Sequence, residues 1–258
     1  VDGSKCKIFV AGNTFKDLAG NDNTASDIFT WTRDTVRPTM DISAAVLANS
    51  NNSTSNANFI TLTFTSTKVT TDFVEGDITL SNGSLIAFAG SGTTYTANFT
   101  PDGASQTSPV NCTIIVAENA FTDSAGNGND ITVPTVFEWT SDRAPPTMVI
   151  SSDDVNYGST TANQSVVIKF TSNEAITDFS IIPDITVSNG TLGPLTEVSS
   201  TVYTATFTAT TSGNCTVDVN GSFEDTFGNI NTTTPPYFSW TFSTTIPNTL
   251  YIRGFIQI

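Results

Sequence analysis

The chain has 258 residues, 38% hydrophobic and only 13% charged, and its 9 Lys and Arg against 24 Asp and Glu leave a net charge of −15. That length exceeds one core of about 100–150 residues, and the negative balance sets nucleic acid aside as a partner, because a phosphate backbone would be repelled. Histidine is absent, which removes histidine triads, imidazole bases and the usual zinc sites.

In chain order, residues 1–37 read as the last two strands of a β-domain, joined through FKDLAGNDNT at Phe15 and ending at Trp31. A complete domain is expected over 38–144, with strands at 38–43, 58–66, 69–74, 77–81, 94–100, 111–117 and 135–140. The reason is a period of two. Ile60, Leu62 and Phe64 share one face while Thr61, Thr63 and Thr65 take the other, and Tyr95, Ala97 and Phe99 alternate likewise. A second complete domain over 145–246 repeats the pattern at Val166, Ile168 and Phe170, at Tyr203, Ala205 and Phe207, and at Phe238 with Trp240. Residues 247–258 would be the first strand of a further repeat or a donor strand for a neighbouring subunit, with Leu250, Ile252, Phe255 and Ile258 as the polymer contact. Both ends thus read as partial domains. The chain opens on Val1 with no basic-then-apolar leader and no apolar run of membrane-spanning length, as expected of a mature or excised segment.

The repetition is literal. Phe15, Phe121 and Phe223 each begin Phe-x-Asp-x-x-Gly-Asn; RPTMDIS at 37–43 returns as PPTMVIS at 145–151, and DITLSNGSL at 77–85 as DITVSNGTL at 184–192. A period near one hundred residues describes beads with separate cores, not a solenoid. Short β-branched segments between Gly, Asn, Asp and Pro clusters predict an all-β chain of antiparallel sandwiches. Pro38, Pro146 and Pro247 each follow a Trp by the same interval and stiffen the joints.

The set DIT-x-SNG, Y-T-A-x-F, F-x-D-x-x-G-N and F-x-W-T followed by P-T resembles the bacterial-type Ig-like repeats of long extracellular adhesins and surface proteins, found also in some protists and algae. The resemblance implies tandem Ig-like sandwiches acting as spacers or adhesive stalks, outside the cell, and no catalysis. Self-association into a homopolymer or filament is the expected partnership, and an adhesin that attaches to cells or carbohydrate is the alternative.

Three groups of side chains are candidates for more than packing. Cys6, Cys112 and Cys215 recur once per bead beside inward residues, so burial is expected, with pairing between chains as the other possibility. Asn51, Asn52, Asn82, Asn98, Asn111, Asn163, Asn189, Asn214, Asn220 and Asn231 begin Asn-x-Ser/Thr triplets and are candidates for covalent N-glycans on a secreted protein. Asp17, Asp123 and Asp225 sit in the recurring hairpin, where they either accept local backbone N–H bonds beside Gly20, Gly126 and Gly228 or bind calcium. In the second case Asp34 or Asp142 at the joints, with Asp22, Asp130 or Asp72, would add carboxylates and stiffen the string. No other cofactor is expected.

Overall fold

The computed structural model describes residues 3–45, 51–103, 107–130 and 136–245; Leu250, Ile252, Phe255 and Ile258 lie outside them. Two compact units meet in sequence at Ser141 and Asp142. The first holds β1 (Lys5–Ile8), β2 (Phe29–Thr32), β3 (Met40–Ala44), β4 (Ser53–Ser55), β5 (Ile60–Thr70), β6 (Ile78–Ser81), β7 (Gly83–Pro101), β8 (Val110–Val116) and β9 (Val136–Ser141). The second holds β10 (Met148–Ser151), β11 (Thr160–Thr161), β12 (Ser165–Ser172), β13 (Ile176–Thr177), β14 (Ile185–Ser188), β15 (Gly190–Leu192), β16 (Thr196–Ser199), β17 (Val202–Ala209), β18 (Gly213–Val219), β19 (Glu224–Asp225) and β20 (Phe238–Phe242). Among the described residues there is no α-helix, so no helix is long and apolar enough to cross a membrane.

In the first unit the sheet β3-β5-β7 faces β4-β9-β8-β6, and in the second β10-β12-β17-β15, with β16 also on β17, faces β11-β20-β18-β14. Alternation along β5 puts Ile60, Leu62 and Phe64 at zero exposure, and their faces meet Cys112, Ile114, Val116 and Trp139 from the opposite sheet. The second core repeats this with Val166, Ile168 and Phe170 against Cys215, Val217, Val219 and Trp240. Burying faces of period two on both sides of a gap is what makes two sheets, and not one, the stable arrangement. Each tryptophan meets a phenylalanine ring edge-on, Phe99 at 6.3 Å from Trp139 and Phe207 at 4.7 Å from Trp240.

The ladders are antiparallel except at two matched places, where β4 runs parallel to β9 and β11 parallel to β20. Ahead of the first sandwich, β1 and β2 form an antiparallel ribbon in the register Lys5 to Thr32 through Ile8 to Phe29. Its Ile8, Phe15, Phe29 and Trp31 are 47–67% exposed, whereas the repeat equivalents Ile114, Phe121, Phe137 and Trp139 are at most 2% exposed. Within this ribbon no second sheet closes on the apolar face.

One expected strand is corrected. Residues 69–74 are not a separate strand: β5 runs on to Thr70, and the backbone then leaves the ladder so that Phe73 enters the core at 3% exposure. There it sits edge-on to Tyr95 at 5.1 Å and to Phe121 at 5.3 Å, contacts that a strand position on the sheet surface would forfeit. The strand expected at 94–100 is the end of the longer β7.

Candidate cation-binding site

The recurring hairpin is built from its Phe and its polar residues together. Phe121, 1% exposed, anchors the turn in the core. Asp123 Oδ1 accepts the amides of Ala125 and Asn127 at 3.0 and 2.9 Å, and Asn127 Nδ2 donates to Oδ2 at 3.0 Å. Gly126 closes the turn at φ 83°, a backbone region that costs a Cβ-bearing residue and not glycine. Asp17 and Asp225 make the same bonds, to Ala19 and Asn21 and to Phe227 and Asn229. Asn129, fully buried, accepts the Phe121 amide at 3.1 Å and donates to the Ala117 carbonyl at 2.8 Å. Asn23 and Asn231 accept from Phe15 and Phe223 alike, so the motif extends two residues further than Phe-x-Asp-x-x-Gly-Asn. The repeated wording therefore specifies a turn whose interior is satisfied by its own side chains.

Beside that turn the two complete repeats carry opposite charges at one matched position, Lys68 and Glu174. In the first, Lys68 lies near the end of β5, Asp34 precedes the sandwich, and Asp123 comes from the hairpin. The Lys68 ammonium lies 2.7 Å from Asp34 Oδ1, 2.9 Å from Asp34 Oδ2 and 3.0 Å from Asp123 Oδ2, and also donates to the Val36 carbonyl. Burial opposes the charge on Asp123, but hydrogen bonds from Asn127, Lys68 and Ala125 outweigh it and hold the carboxyl well below the usual carboxylate range. The Asp34 hydrogen bond, against some desolvation, raises Lys68 above the ordinary lysine value.

In the second repeat the corresponding residues are Asp142, Glu174 and Asp225. One carboxylate oxygen from each lies within 4.8 Å of the other two, and Asp142 and Asp225 are 3% and 2% exposed. Burial, then the charge of Asp225, raises Asp142; burial, then the charges of Asp142 and Asp225, raises Glu174. Of the expected calcium ligands, the structure thus brings together Asp142 with Asp225 and, through a lysine, Asp34 with Asp123. Asp17 stays in its own exposed turn, Asp22 pairs with Lys16 at 2.6 Å, and Asp72 is held by Thr70 and Thr122. Glu174 is the addition, and its signal was weak because the matching residue in the other repeat is a lysine.

Sequon asparagines divide by what their amides do. Asn82 and Asn189, both at positive φ, donate from Nδ2 to the carbonyls of Asn111 and Thr211 at 2.7 and 2.8 Å. Asn51 donates to the Val136 carbonyl, Asn98 accepts from Thr61, and Asn231 belongs to the hairpin. Asn52, Asn111, Asn163, Asn214 and Asn220 are exposed. Cys112 and Cys215 are fully buried and Cys6 is half-buried.

Solved structures similar to the chain include the Yersinia pseudotuberculosis protein InvD, 18% identical over 79% of this chain with a TM-score of 0.37. Another is invasin, described as a bacterial integrin-binding protein, at 14% identity over 94% with a TM-score of 0.36. A third is SGBP-B of Bacteroides ovatus, solved with a mixed-linkage heptasaccharide, at 16% identity over 93% with a TM-score of 0.22. The chain spans 57%, 53% and 52% of the lengths of those three. No curated protein sequence matches it. The family described as bacterial Ig-like domain matches residues 34–137 and again 142–240, most of both sandwiches. The chain belongs to the bacterial Ig-like domain family, of which it carries two tandem copies.

Proposed function

We propose that the chain is a repeat segment of an extracellular surface glycoprotein, a filament, stalk or matrix element assembled head to tail, and not an enzyme. The observation that carries this reading is that two repeats close separate cores on matching residues, Met40 to Trp139 and Met148 to Trp240. Their acidic clusters lie at a turn and a linker. What such a chain supplies is length, spacing and an outer face of hydroxyls. The exposed Asn52, Asn111, Asn163, Asn214 and Asn220 are where sugars fit without disturbing a buried amide, and Leu250, Ile252, Phe255 and Ile258 would complete the sheet of a neighbour.

A second reading, attachment to carbohydrate, is favoured by one surface feature. Tyr157 and Tyr237 are 61% and 53% exposed with ring centroids 6.3 Å apart, and with Val149 and Pro236 they line an apolar depression. Paired aromatic rings of this kind offer stacking faces to a sugar. Electron microscopy of native material separates the two readings. Ordered fibres support assembly, and isolated flexible strings support attachment; intact mass before and after glycan removal tests the sugars, and an unchanged mass removes them from the reading.

A further inference from the structure

We propose that the second repeat binds one calcium ion between Asp142, Glu174 and Asp225, at the position where the first repeat seats the Lys68 ammonium. The correspondence is fixed by backbone and not by charge. Lys68 donates its amide to Ser66 Oγ at 3.3 Å and Glu174 to Ser172 Oγ at 3.4 Å. One residue earlier, the Thr67 and Asn173 amides donate to the Thr39 and Thr147 carbonyls at 3.0 and 3.1 Å. Asn127 reaches the Asp34 carbonyl as Asn229 reaches that of Asp142, at 3.4 and 2.9 Å. The frame is the same, and only the group projecting into it changes sign.

In the first repeat a cation already occupies this frame. It is the ammonium of Lys68, bound by both carboxylates and by the Val36 carbonyl. In the second repeat the carboxylates remain, the ammonium is gone and a third carboxylate stands in its stead. Asp142 is 97% removed from solvent by its 3% exposure, and its hydrogen bond is the Ala144 amide at 3.3 Å. Among the described residues no lysine or arginine forms an ion pair with Asp142, Glu174 or Asp225. A buried carboxylate without a countercharge is strongly disfavoured, so this arrangement calls for a cation from outside the chain.

The donor set selects the ion. All three ligands are carboxylate oxygens, with neither imidazole nor thiolate, which suits a hard cation. Their oxygens, all within 4.8 Å of one another, fit inside a shell of Ca–O bonds of about 2.3–2.6 Å, and calcium accepts the irregular geometry that three side chains and water provide, where magnesium demands a near-ideal octahedron. The Ala144 carbonyl, which corresponds to that of Val36, and water at the half-buried Glu174 edge would complete the coordination.

The test is a charge exchange between repeats, read by calorimetric unfolding and by calcium titration of the full chain at constant ionic strength. Calcium at about 10 mM is expected to raise the second repeat's melting temperature by roughly 5–15 °C, given the weak affinities of extracellular calcium modules. Glu174→Lys supplies an internal ammonium and should abolish the rise while increasing stability in chelator. Lys68→Glu should create a calcium response in the first repeat. Glu174→Gln, which adds no cation, guards against misfolding of the lysine variant and should weaken calcium at least tenfold. No rise in the unaltered chain, an equal rise with magnesium, or a rise that survives both substitutions at Glu174 overturns the proposal.

Discussion

A methyl group at Gly190 is the most direct challenge to the sandwich interior. A Cβ there would stand 2.2 Å from Phe207 Cζ, 2.5 Å from Cε1 and 2.7 Å from the Thr208 carbonyl oxygen. Phe207 is fully buried and packs edge-on to Trp240 at 4.7 Å, so the ring can yield only by disturbing that pair. Overpacking of this kind costs about 1–3 kcal/mol, the aromatic pair adds about 1 kcal/mol, and the stiffer unfolded chain returns about half of that. Gly190→Ala should therefore destabilise the second repeat by about 2–3 kcal/mol, or roughly 10–20 °C for a domain of this size. Differential scanning calorimetry would read it with the first repeat as internal reference. The diagnostic step is Phe207→Leu: with the ring shortened, the same methyl should cost clearly less, the 2.7 Å approach to the Thr208 carbonyl oxygen being what remains. Gly126→Ala is the control, since that position at φ 83° has nothing within 4 Å of a Cβ and would pay a backbone cost alone. Equal costs for Gly190→Ala with and without the Phe207 ring would refute the steric account.

Two further outcomes are expected. Asp123 titrates below its ordinary value near 3.8 in the folded chain, so its contribution is full above that pH and is lost as the solution is acidified toward the folded value. Asp123→Asn should cost about 2–4 kcal/mol at neutral pH and flatten the acid limb of the first repeat's stability; an unchanged acid limb would assign that limb to other carboxylates. Thiol labelling in native buffer should modify Cys6 and spare Cys112 and Cys215, which are fully buried, until the protein is unfolded. Prompt native labelling of either buried thiol would contradict the packing of its sheet.

Strands with one buried face were legible in the sequence, because burying alternate residues leaves the apolar mark seen along β5, β8, β12 and β17. β4, Ser-Thr-Ser, and β11, Thr-Thr, carried no such mark: they attach to the last strand of each sandwich by backbone bonds alone. The first half of β7 was silent for the opposite reason, being largely exposed from Ile86 to Thr94. Phe73 misled because, three residues past the end of β5 and on the opposite parity to its buried face, it reaches the core only where the backbone leaves the ladder and turns inward. At the candidate site the recurring aspartates were visible as repeats, whereas Glu174 was hidden, since likeness between repeats cannot reveal a position whose importance lies in being unlike. Asn129 was hidden because its recurrence at Asn23 and Asn231 falls beyond the Phe-x-Asp-x-x-Gly-Asn phrase, and Asn231 also begins an Asn-x-Thr triplet.

Adjacent copies of one fold on a single chain risk exchanging strands while they fold. The opposite charges at Lys68 and Glu174 bear on that hazard. Were β12 and the two residues that follow it to enter the first sandwich in place of β5, Glu174 would arrive beside Asp34 and Asp123 with no ammonium between them. The wrong pairing would gather like charges where the right one gathers a neutralising contact. A single reversal of sign thus bars the second copy's strand from the first sandwich, and makes correct assembly of the first repeat the step that keeps the two strands apart.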